Sequence, residues 1–289
     1  MAIPVDPEVL ERLRRGETIS GTDPSGGFAF EVDPSRPYLL TAIHAGHAVP
    51  SELASRMAIT EEGRRFEEDT ATDEMVRGAP SAIWGLVSRA VVDLNRPEAL
   101  ALPLTPERFW GVRVYDRAPT EPMNRRSLEL HAAFYRFVGS CVTALLERFK
   151  TCVVYDLHSY NISRQVERGF ARPPVFNLGT ALLDRTRWAG AIDAWLSLLG
   201  EIRIPGVETT AVENLVFEGK GEFCACLTNW DPRILVLPTE VAKVYMDEQT
   251  GVVDPDRVAA LRDGLQTAAI RHAAASSPTG TGRGPGQRE

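Results

Sequence analysis

The sequence predicts an α/β fold built on a mainly parallel sheet. Two apolar, β-prone runs at 37–43 and 151–157, and a third at 234–240, have the length and composition of buried strands. Helical patterns lie between the strand patterns, and this alternation is typical of a parallel sheet. His158 ends the run at 151–157, and a side chain at that end of a strand projects into the crevice where open α/β sheets bind ligands.

The predicted strands are short apolar runs bounded by turn residues. Five strands are predicted, at 37–43, 82–96, 151–157, 175–180 and 234–240. Pro97 ends the second of them, because proline lacks the N–H that a strand ladder needs. The alternation of Cys224, Ala225 and Cys226 favours one further extended segment, in which both cysteines serve packing rather than metal binding.

The predicted helices depend on capping residues and on the spacing of apolar residues. Five helices are predicted, at 7–15, from 60 to about 67, and at 121–148, 182–199 and about 254–272. Asp6 and Thr60 are placed to cap the first two. The Gly- and Pro-rich stretch 16–36 is predicted to be a loop. Residues 1–272 then form one predicted domain, and 273–289 form a disordered Ser/Thr/Gly/Pro-rich tail.

Composition excludes several classes of partner. The formal net charge of -7 and the lack of a basic run argue against nucleic-acid binding. No stretch has the length of a membrane span, and the N-terminal residues lack the pattern of a signal peptide, so a cytoplasmic location is predicted. The four cysteines have no paired spacing, which favours free thiols. The oligomeric state stays open, with a homo-oligomer among the alternatives.

Histidines and acids at strand ends predict a metal site. His44 and His158 follow two different strands and are the expected nitrogen ligands. The oxygen ligand is expected within the acidic run Glu67–Asp69, and His47 is the alternative third ligand or a partner of a ligand. About three ligands from His, Asp and Glu, with a position left for water, are typical of hydrolytic zinc centres. Iron, manganese or cobalt also suits such a mixed donor set.

Residues beyond the ligands predict catalysis on an anionic substrate. Glu240, at the end of the last strand, is the best-placed general base. Arg89 and Arg96 lie near Asn95 at the end of the second predicted strand, where arginines are unfavourable to bury unless an anion meets them. A structural salt bridge of these arginines to Asp93 is the alternative interpretation.

The motifs and their order resemble the N-formylglutamate amidohydrolase family. The resemblance spans 37–251, and five blocks carry it: His-Ala-Gly at 44–46, Glu-Asp-Thr-Ala-Thr-Asp at 68–73, Ser88-Arg89 with Asp-Leu-Asn-Arg at 93–96, Asp-Leu-His-Ser-Tyr at 156–160, and Thr239-Glu240 with Tyr-Met-Asp-Glu at 245–248. Asp-Leu-Asn-Arg together with Asp-Leu-His-Ser-Tyr is a specific combination.

This resemblance implies a fold similar to the zinc carboxypeptidases and other phosphorylase/hydrolase-like proteins, a three-layer αβα sandwich with a central mixed sheet. It implies one Zn²⁺ per chain on His44 and His158, and Asp69 is the favoured third ligand. It also implies that Glu240 is the catalytic glutamate. The remaining implied site residues, Arg89, Asn95 and Arg96, grip the substrate carboxylate. Arg96 or Arg89 is also expected to help stabilise the oxyanion, and the loop that begins at Tyr160 to shape the acyl or amine pocket.

The expected function is therefore that of a zinc-dependent amidohydrolase acting on a linear carbon–nitrogen bond. Its expected substrate is a small N-acyl amino acid, with N-formyl-L-glutamate as the family default. Two alternatives remain at this stage. One is a carboxypeptidase-like hydrolase of a peptide or a peptide-like metabolite, and the other is a non-catalytic module that binds an acidic metabolite.

Overall fold

A mixed sheet of eight strands runs through the computed structural model, which describes residues 3–276. The strands are β1 (Ile19–Thr22), β2 (Phe28–Val32), β3 (Tyr38–Ala42), β4 (Ser81–Gly85), β5 (Cys152–Tyr160), β6 (Phe176–Leu178), β7 (Ala211–Glu213) and β8 (Ile234–Ala242). Their spatial order is β1-β2-β4-β3-β5-β8-β6-β7. The four central strands β4, β3, β5 and β8 are parallel to one another, and antiparallel pairings occur towards both edges.

Helices cover both faces of the sheet. They are α1 (Pro7–Arg14), α2 (Ser51–Ala54), α3 (Glu61–Glu67), α4 (Thr72–Val76), α5 (Glu121–Arg148), α6 (Ile162–Glu167), α7 (Arg185–Glu201), α8 (Glu222–Trp230) and α9 (Pro255–Ser276). One core joins the sheet to α1, α5 and α8, and a second core joins the opposite face to α4, α7 and α9. The predicted α/β sandwich with a central mixed, mainly parallel sheet is confirmed.

The alternation of side chains along β5 explains why polar groups collect on one face. Cys152 and Val154 belong to the core beneath α5, whereas Val153 and Tyr155 belong to the opposite core. Successive residues of a strand point to opposite faces of the sheet. Asp156, His158 and Tyr160 therefore lie on the same face as Cys152 and Val154. The apolar run thus becomes polar on one face at the carboxyl end of the strand, while Leu157 continues the other core.

Several predicted elements have the expected bounds. Helix α5 occupies Glu121–Arg148 as predicted. Asp6 and Thr60 both cap helices with their side chains, because each accepts hydrogen bonds from N–H groups of the first turn. The four cysteines carry free thiols. No helix within residues 3–276 combines the length and the apolar character that a membrane crossing requires.

Other predicted elements are wrong. The predicted loop at 16–36 contains the antiparallel hairpin of β1 and β2, in which Phe28 and Val32 are fully buried. The strand predicted over 82–96 ends at Gly85, since the chain then turns and Val91 N–H bonds to the Ser88 carbonyl. Its later apolar residues are buried in this turn rather than in the sheet.

Two further differences concern helices. Cys224 and Cys226 lie in α8, where Phe223, Cys224 and Leu227 are the buried residues, so the helical period decides the structure. Helix α9 continues to Ser276, past the predicted start of the tail, and Ala273 is buried in the second core. Alanine has the highest helix propensity, which accounts for this extension. Residues 277–289 of the predicted tail lie outside the described residues.

Candidate metal centre and active site

Three side chains predicted as metal ligands meet at the carboxyl end of the central strands. His44 lies two residues after the end of β3 and His158 lies on the neighbouring β5, while Asp69 follows α3. The Nδ1 atoms of the two histidines are 3.2 Å apart, and Asp69 Oδ2 lies 3.0 Å from His158 Nδ1 and 3.5 Å from His44 Nδ1. The Asp69 N–H also donates to the His44 carbonyl, which fixes the two segments together. All three residues are buried.

A carboxylate holds each histidine on its other ring nitrogen. His44 Nε2 lies 2.7 Å from Asp93 Oδ1, and His158 Nε2 lies 3.0 Å from Asp156 Oδ2. In the tautomer that donates its Nε2–H to this carboxylate, each ring leaves Nδ1, on the side of Asp69, to bind a cation. Three acceptors then converge on one point, and a divalent cation suits such a donor set. The carboxylate–histidine arrangement is typical of metal sites.

The charged groups around the two histidines shift the pKa values of one another. Burial lowers the pKa of His158, but the charge and hydrogen bond of Asp156 outweigh it and hold that pKa well above its ordinary value. Burial alone raises the pKa of Asp69, yet hydrogen bonds from His158 and His44 hold it well below the usual range. Asp93 behaves in the same way, because Arg89 and His44 outweigh its burial. The acids are therefore ionised and available as ligands or partners.

The acidic run provides one residue to this group and two to ion pairs. Glu67 binds Arg164 through both carboxylate oxygens, at 2.9 and 2.6 Å. Glu68 is fully buried and contacts Arg64, Ser88 Oγ and His47 Nδ1, the last at 2.5 Å. His47 thus lies outside the His44–Asp69–His158 group and pairs with Glu68. Among the candidates for the third ligand, the structure brings Asp69 to the other two.

Glu240 lies beside this group on β8. It is the register partner of His158 across the β5–β8 pair and of Asn177 across the β6–β8 pair. Its side chain lines the same cavity as the two histidines. Burial raises the pKa of Glu240 to about 8, against the opposing effect of the nearby His158. A carboxyl group with a raised pKa at this position suits proton transfer.

The residues predicted to grip a carboxylate line the cavity near Asp93. Arg89 Nη2 lies 2.8 Å from Asp93 Oδ2, and its guanidinium stacks on Trp110 at 4.1 Å from the ring centroid. The buried Arg89 Nε has no hydrogen-bond partner within the described residues. Arg96 Nε lies 3.9 Å from Asp93 Oδ2, and its side chain remains 39% exposed. Both arginines therefore contact Asp93 and also face the cavity.

Asn95 and Tyr160 use part of their polar atoms elsewhere. The Asn95 Oδ1 accepts the Phe223 N–H at 3.0 Å, which leaves its Nδ2 as the donor group. The Tyr160 hydroxyl donates to the Pro174 carbonyl, and burial raises the pKa of this phenol. The Tyr160 ring lines the cavity and lies 5.8 Å from the ring of Phe217. Tyr160 hence contributes an apolar surface rather than a hydroxyl.

Sequence patterns do not predict the contacts of four polar residues in and around the site, which are Asp93, Asp156, Asn177 and Lys243. The position of Asp156 could have been predicted from the sequence, because it lies two residues before His158 and therefore on the same face of the strand. For Asp93, the sequence predicts only a salt bridge to the arginines. Asn177 carries no signal in the sequence. Lys243 is buried and donates to the carbonyls of Phe66 and Glu68 at 2.8 and 2.9 Å, and burial lowers its pKa to about 8.

Comparison with known families decides the relationship of this chain. The family model described as N-formylglutamate amidohydrolase matches residues 36–229, more than half of the sequence. The chain belongs to the N-formylglutamate amidohydrolase family. The resemblance predicted from the motifs is thereby confirmed, and the chain is placed among the amidohydrolases, a class of hydrolases. A search of curated proteins finds no significant match.

Solved structures share the fold. N-formylglutamate amidohydrolase from Ralstonia eutropha JMP134 has a TM-score of 0.65 and 22% identity, over 83% of this chain and 93% of that one. A gene product from Agrobacterium tumefaciens has a TM-score of 0.60 and 14% identity, over 90% and 97%. A metallo-carboxypeptidase from Burkholderia cenocepacia gives a TM-score of 0.38, and the carboxypeptidase-like part of the predicted fold stays a prediction.

Proposed function

We propose that this protein is a zinc-dependent amidohydrolase that cleaves the amide bond of a small N-acyl amino acid, with N-formyl-L-glutamate as the first compound to test. Membership of an amidohydrolase family supports the reaction class. The observation that carries the proposal is the buried group of His44, Asp69 and His158, with a carboxylate behind each histidine. We propose one zinc ion per chain, held by these three residues.

The bound zinc would polarise the acyl oxygen and lower the pKa of a water molecule to about 7. Asp93 and Asp156 fix the orientation of the two imidazoles, so the ligand atoms need no rearrangement. Glu240 faces the same cavity and accepts the proton of the attacking water. The water oxygen bonds to the acyl carbon, the carbon–nitrogen bond breaks, and Glu240 passes the proton to the leaving nitrogen. A carboxylic acid and an amine are the products.

The cationic residues near Asp93 would bind the carboxylate of the amino acid. The Arg96 side chain is partly exposed in the cavity. Asp93 and Trp110 hold the Arg89 guanidinium in place between them. Asn95 offers an amide N–H beside them. A guanidinium presents paired donors that match a carboxylate, and we propose that Arg96 also stabilises negative charge on the acyl oxygen. We also propose a cytoplasmic location, which the four free thiols support.

The proposal is tested by measuring metal content and turnover together. We expect about one zinc per chain in the purified protein and loss of that zinc in His158→Ala. We expect hydrolysis of N-formyl- or N-acetyl-amino acids by the wild type and no turnover by Glu240→Gln with its zinc retained. Dipeptides assayed beside the N-acyl amino acids distinguish a carboxypeptidase. A wild type that binds no zinc, even when zinc is supplied, contradicts the proposed function.

Loss of metal in Glu240→Gln would have a different meaning. It would show that Glu240 acts as a ligand rather than as a base. Glu248→Gln is a suitable control, because this glutamate accepts hydrogen bonds from residues 162 and 163 at the start of α6 and does not line the cavity. We expect the control to keep both zinc and turnover.

A further inference from the structure

The cavity beside the candidate metal centre is far larger than a formyl group requires. Its volume is about 740 Å³. Binding cavities of about 300–1,000 Å³ hold drug-sized ligands and bury most of their surface. A carboxylate on Arg96 and a one-carbon acyl group at Glu240 leave most of this volume for another part of the substrate.

An apolar surface lines the cavity between the end of β5 and the loop at 215–217, which is attached to β6. We call it the acyl wall, and it consists of Tyr160, Leu215, Val216 and Phe217. The ring centroids of Tyr160 and Phe217 are 5.8 Å apart, while Leu215 is 49% exposed. An apolar surface within a polar cavity gains from the removal of water by an apolar ligand.

Two contacts fix the acyl wall in place. The buried Asn177 on β6 accepts the N–H groups of Leu215 and Val216 at 2.9 and 2.8 Å, and it donates to the Phe217 carbonyl at 2.8 Å. Further along, Gly219 packs directly on Gly179, so closely that a Cβ on Gly179 would lie 2.3 Å from Gly219 N. The wall is thus a preformed surface attached to the sheet, and binding against it needs no ordering of the loop.

The order of the strands gives the direction of the substrate. Arg89, Asn95 and Arg96, which we call the clamp, lie around Asp93, and Asp93 contacts His44 after the end of β3. His158 lies on β5, Glu240 on β8 and Asn177 on β6, and the strands β3, β5, β8 and β6 are neighbours in that order. In an N-acyl amino acid the carboxylate and the acyl chain lie on opposite sides of the amide bond. With the carboxylate at the clamp and the amide between His158 and Glu240, the acyl chain extends toward β6 and the acyl wall.

We infer that the preferred substrates are N-acyl amino acids whose acyl group is apolar and longer than formyl, with the acyl chain bound on the acyl wall. This inference rests on the proposed function and specifies its substrate class. Burial of each methylene then strengthens binding in the transition state by about fourfold. Leu215, the most exposed member of the wall, is the residue that determines this selectivity.

The test is a substrate series with one amine portion. The zinc-loaded protein is assayed with N-formyl-, N-acetyl-, N-butanoyl- and N-hexanoyl-L-glutamate. We expect kcat/KM to rise by about fourfold for each added methylene while the chain lies on the wall. In Leu215→Asn the ratio of the N-hexanoyl rate to the N-formyl rate falls by about tenfold, because half of a leucine side chain no longer contacts the acyl chain. Leu104→Asn is the matched control, since Leu104 is 43% exposed outside the cavity.

Each outcome of this series decides a separate question. A rate that falls steadily from N-formyl to N-hexanoyl overturns the inference and leaves the proposed function standing. A preference for longer chains that Leu215→Asn and Leu104→Asn both retain overturns the role of the acyl wall. If no member of the series is hydrolysed by zinc-loaded protein, the proposed function fails, and the inference fails with it. Far-UV circular dichroism and the melting temperature verify that both variants are folded.

Discussion

At the scale of single residues, Asp93 links His44, a candidate metal ligand, to the proposed substrate clamp. Its Oδ1 contacts His44 Nε2 at 2.7 Å and accepts the Asn95 N–H at 2.9 Å, while Oδ2 meets Arg89 at 2.8 Å. The carboxylate is buried, so these interactions are not screened by water. One side chain therefore contacts a candidate metal ligand and two residues of the proposed clamp.

Asp156 is a better residue than Asp93 for testing the carboxylates that hold the histidines. It contacts His158 and lies apart from the proposed clamp. In Asp156→Asn the neutral amide no longer stabilises the orientation and basicity of the imidazole. We expect the affinity for zinc to fall by about 10–100-fold, measured by competition with a chelating dye. Asp263→Asn is the control, since this aspartate is 72% exposed on α9. Equal affinity in Asp156→Asn and the wild type would contradict a supporting role for Asp156.

Sequence patterns identify the histidines more readily than their partners. His44 and His158 each follow a mainly apolar, β-prone run, and the end of a buried strand can be predicted from such a composition. Asp93 lies on a turn after the end of β4, so its approach to His44 depends on the path of residues 86–93. Asn177 reaches the loop at 215–217 through pairings that no local pattern encodes.

At the scale of elements, the loop after β7 is fixed to the sheet by a contact between two glycines. Gly179 and Gly219 approach so closely that a side chain on either would overlap the backbone of the other. We expect Gly179→Ala to lower the free energy of unfolding by about 1–3 kcal/mol, measured by urea denaturation. An unchanged free energy of unfolding would show that the loop moves away freely.

Gly190 provides the opposite case. It is exposed in α7, and an added Cβ would meet no atom within 4 Å. We expect Gly190→Ala to raise the free energy of unfolding by about 0.5–1 kcal/mol, because alanine loses less backbone entropy in a helix. Both variants are measured in the same urea series. Their comparison separates the steric overlap at Gly179 from the general effect of adding a methyl group. A loss of stability in Gly190→Ala would contradict this account of helix α7.

The elements that the sequence predicts well are those with a single periodic signal. Helix α5 has a cap, a proline in its first turn and 28 residues of helical spacing. In contrast, Cys224 and Cys226 offer an alternation too short to distinguish a strand from a helix, and tertiary packing of Phe223 and Leu227 decides for α8. The hairpin of β1 and β2 is hidden because β1 is exposed at three of its four positions.

At the scale of the whole molecule, His272 connects α9 to the sheet and to α7. Its Nε2–H donates to the Ala191 carbonyl at 2.8 Å, and its Nδ1 lies 2.8 Å from the Tyr155 hydroxyl. Burial lowers the pKa of His272, and the hydrogen bond to Ala191 opposes this only in part. The folded protein thus binds a proton here less readily than the unfolded chain.

This difference makes the stability depend on pH. Below about pH 6.5 the unfolded chain gains a proton at His272 before the folded protein does, so the free energy of unfolding falls as the pH falls. The contribution is at most about 1.4 kcal/mol per pH unit and vanishes above that window, where both states are neutral. We expect His272→Gln to reduce the difference between urea denaturation at about pH 7.5 and about pH 5.5. An unchanged difference would exclude His272 as a source of acid sensitivity.

Metal binding should also stabilise the whole fold. Zinc at 100 times its dissociation constant adds about 2.7 kcal/mol to the free energy of unfolding. For a chain of this size we expect the melting temperature to rise by about 5 °C. His158→Ala removes a ligand and should abolish the rise, while His272→Gln, a histidine variant remote from the site, should retain it. An equal rise in all three proteins would indicate non-specific binding.

The ligand set also has a consequence for the order of events in folding. His44 and His158 are 114 residues apart in sequence, and Asp69 and His158 are 89 apart. The complete set forms only when β3 and β5 pair, and such distant parallel pairing is slow. A nascent or partly folded chain thus offers zinc no finished site. The ion would then act after the folding barrier, leaving the folding rate unchanged and prolonging the lifetime of the native state.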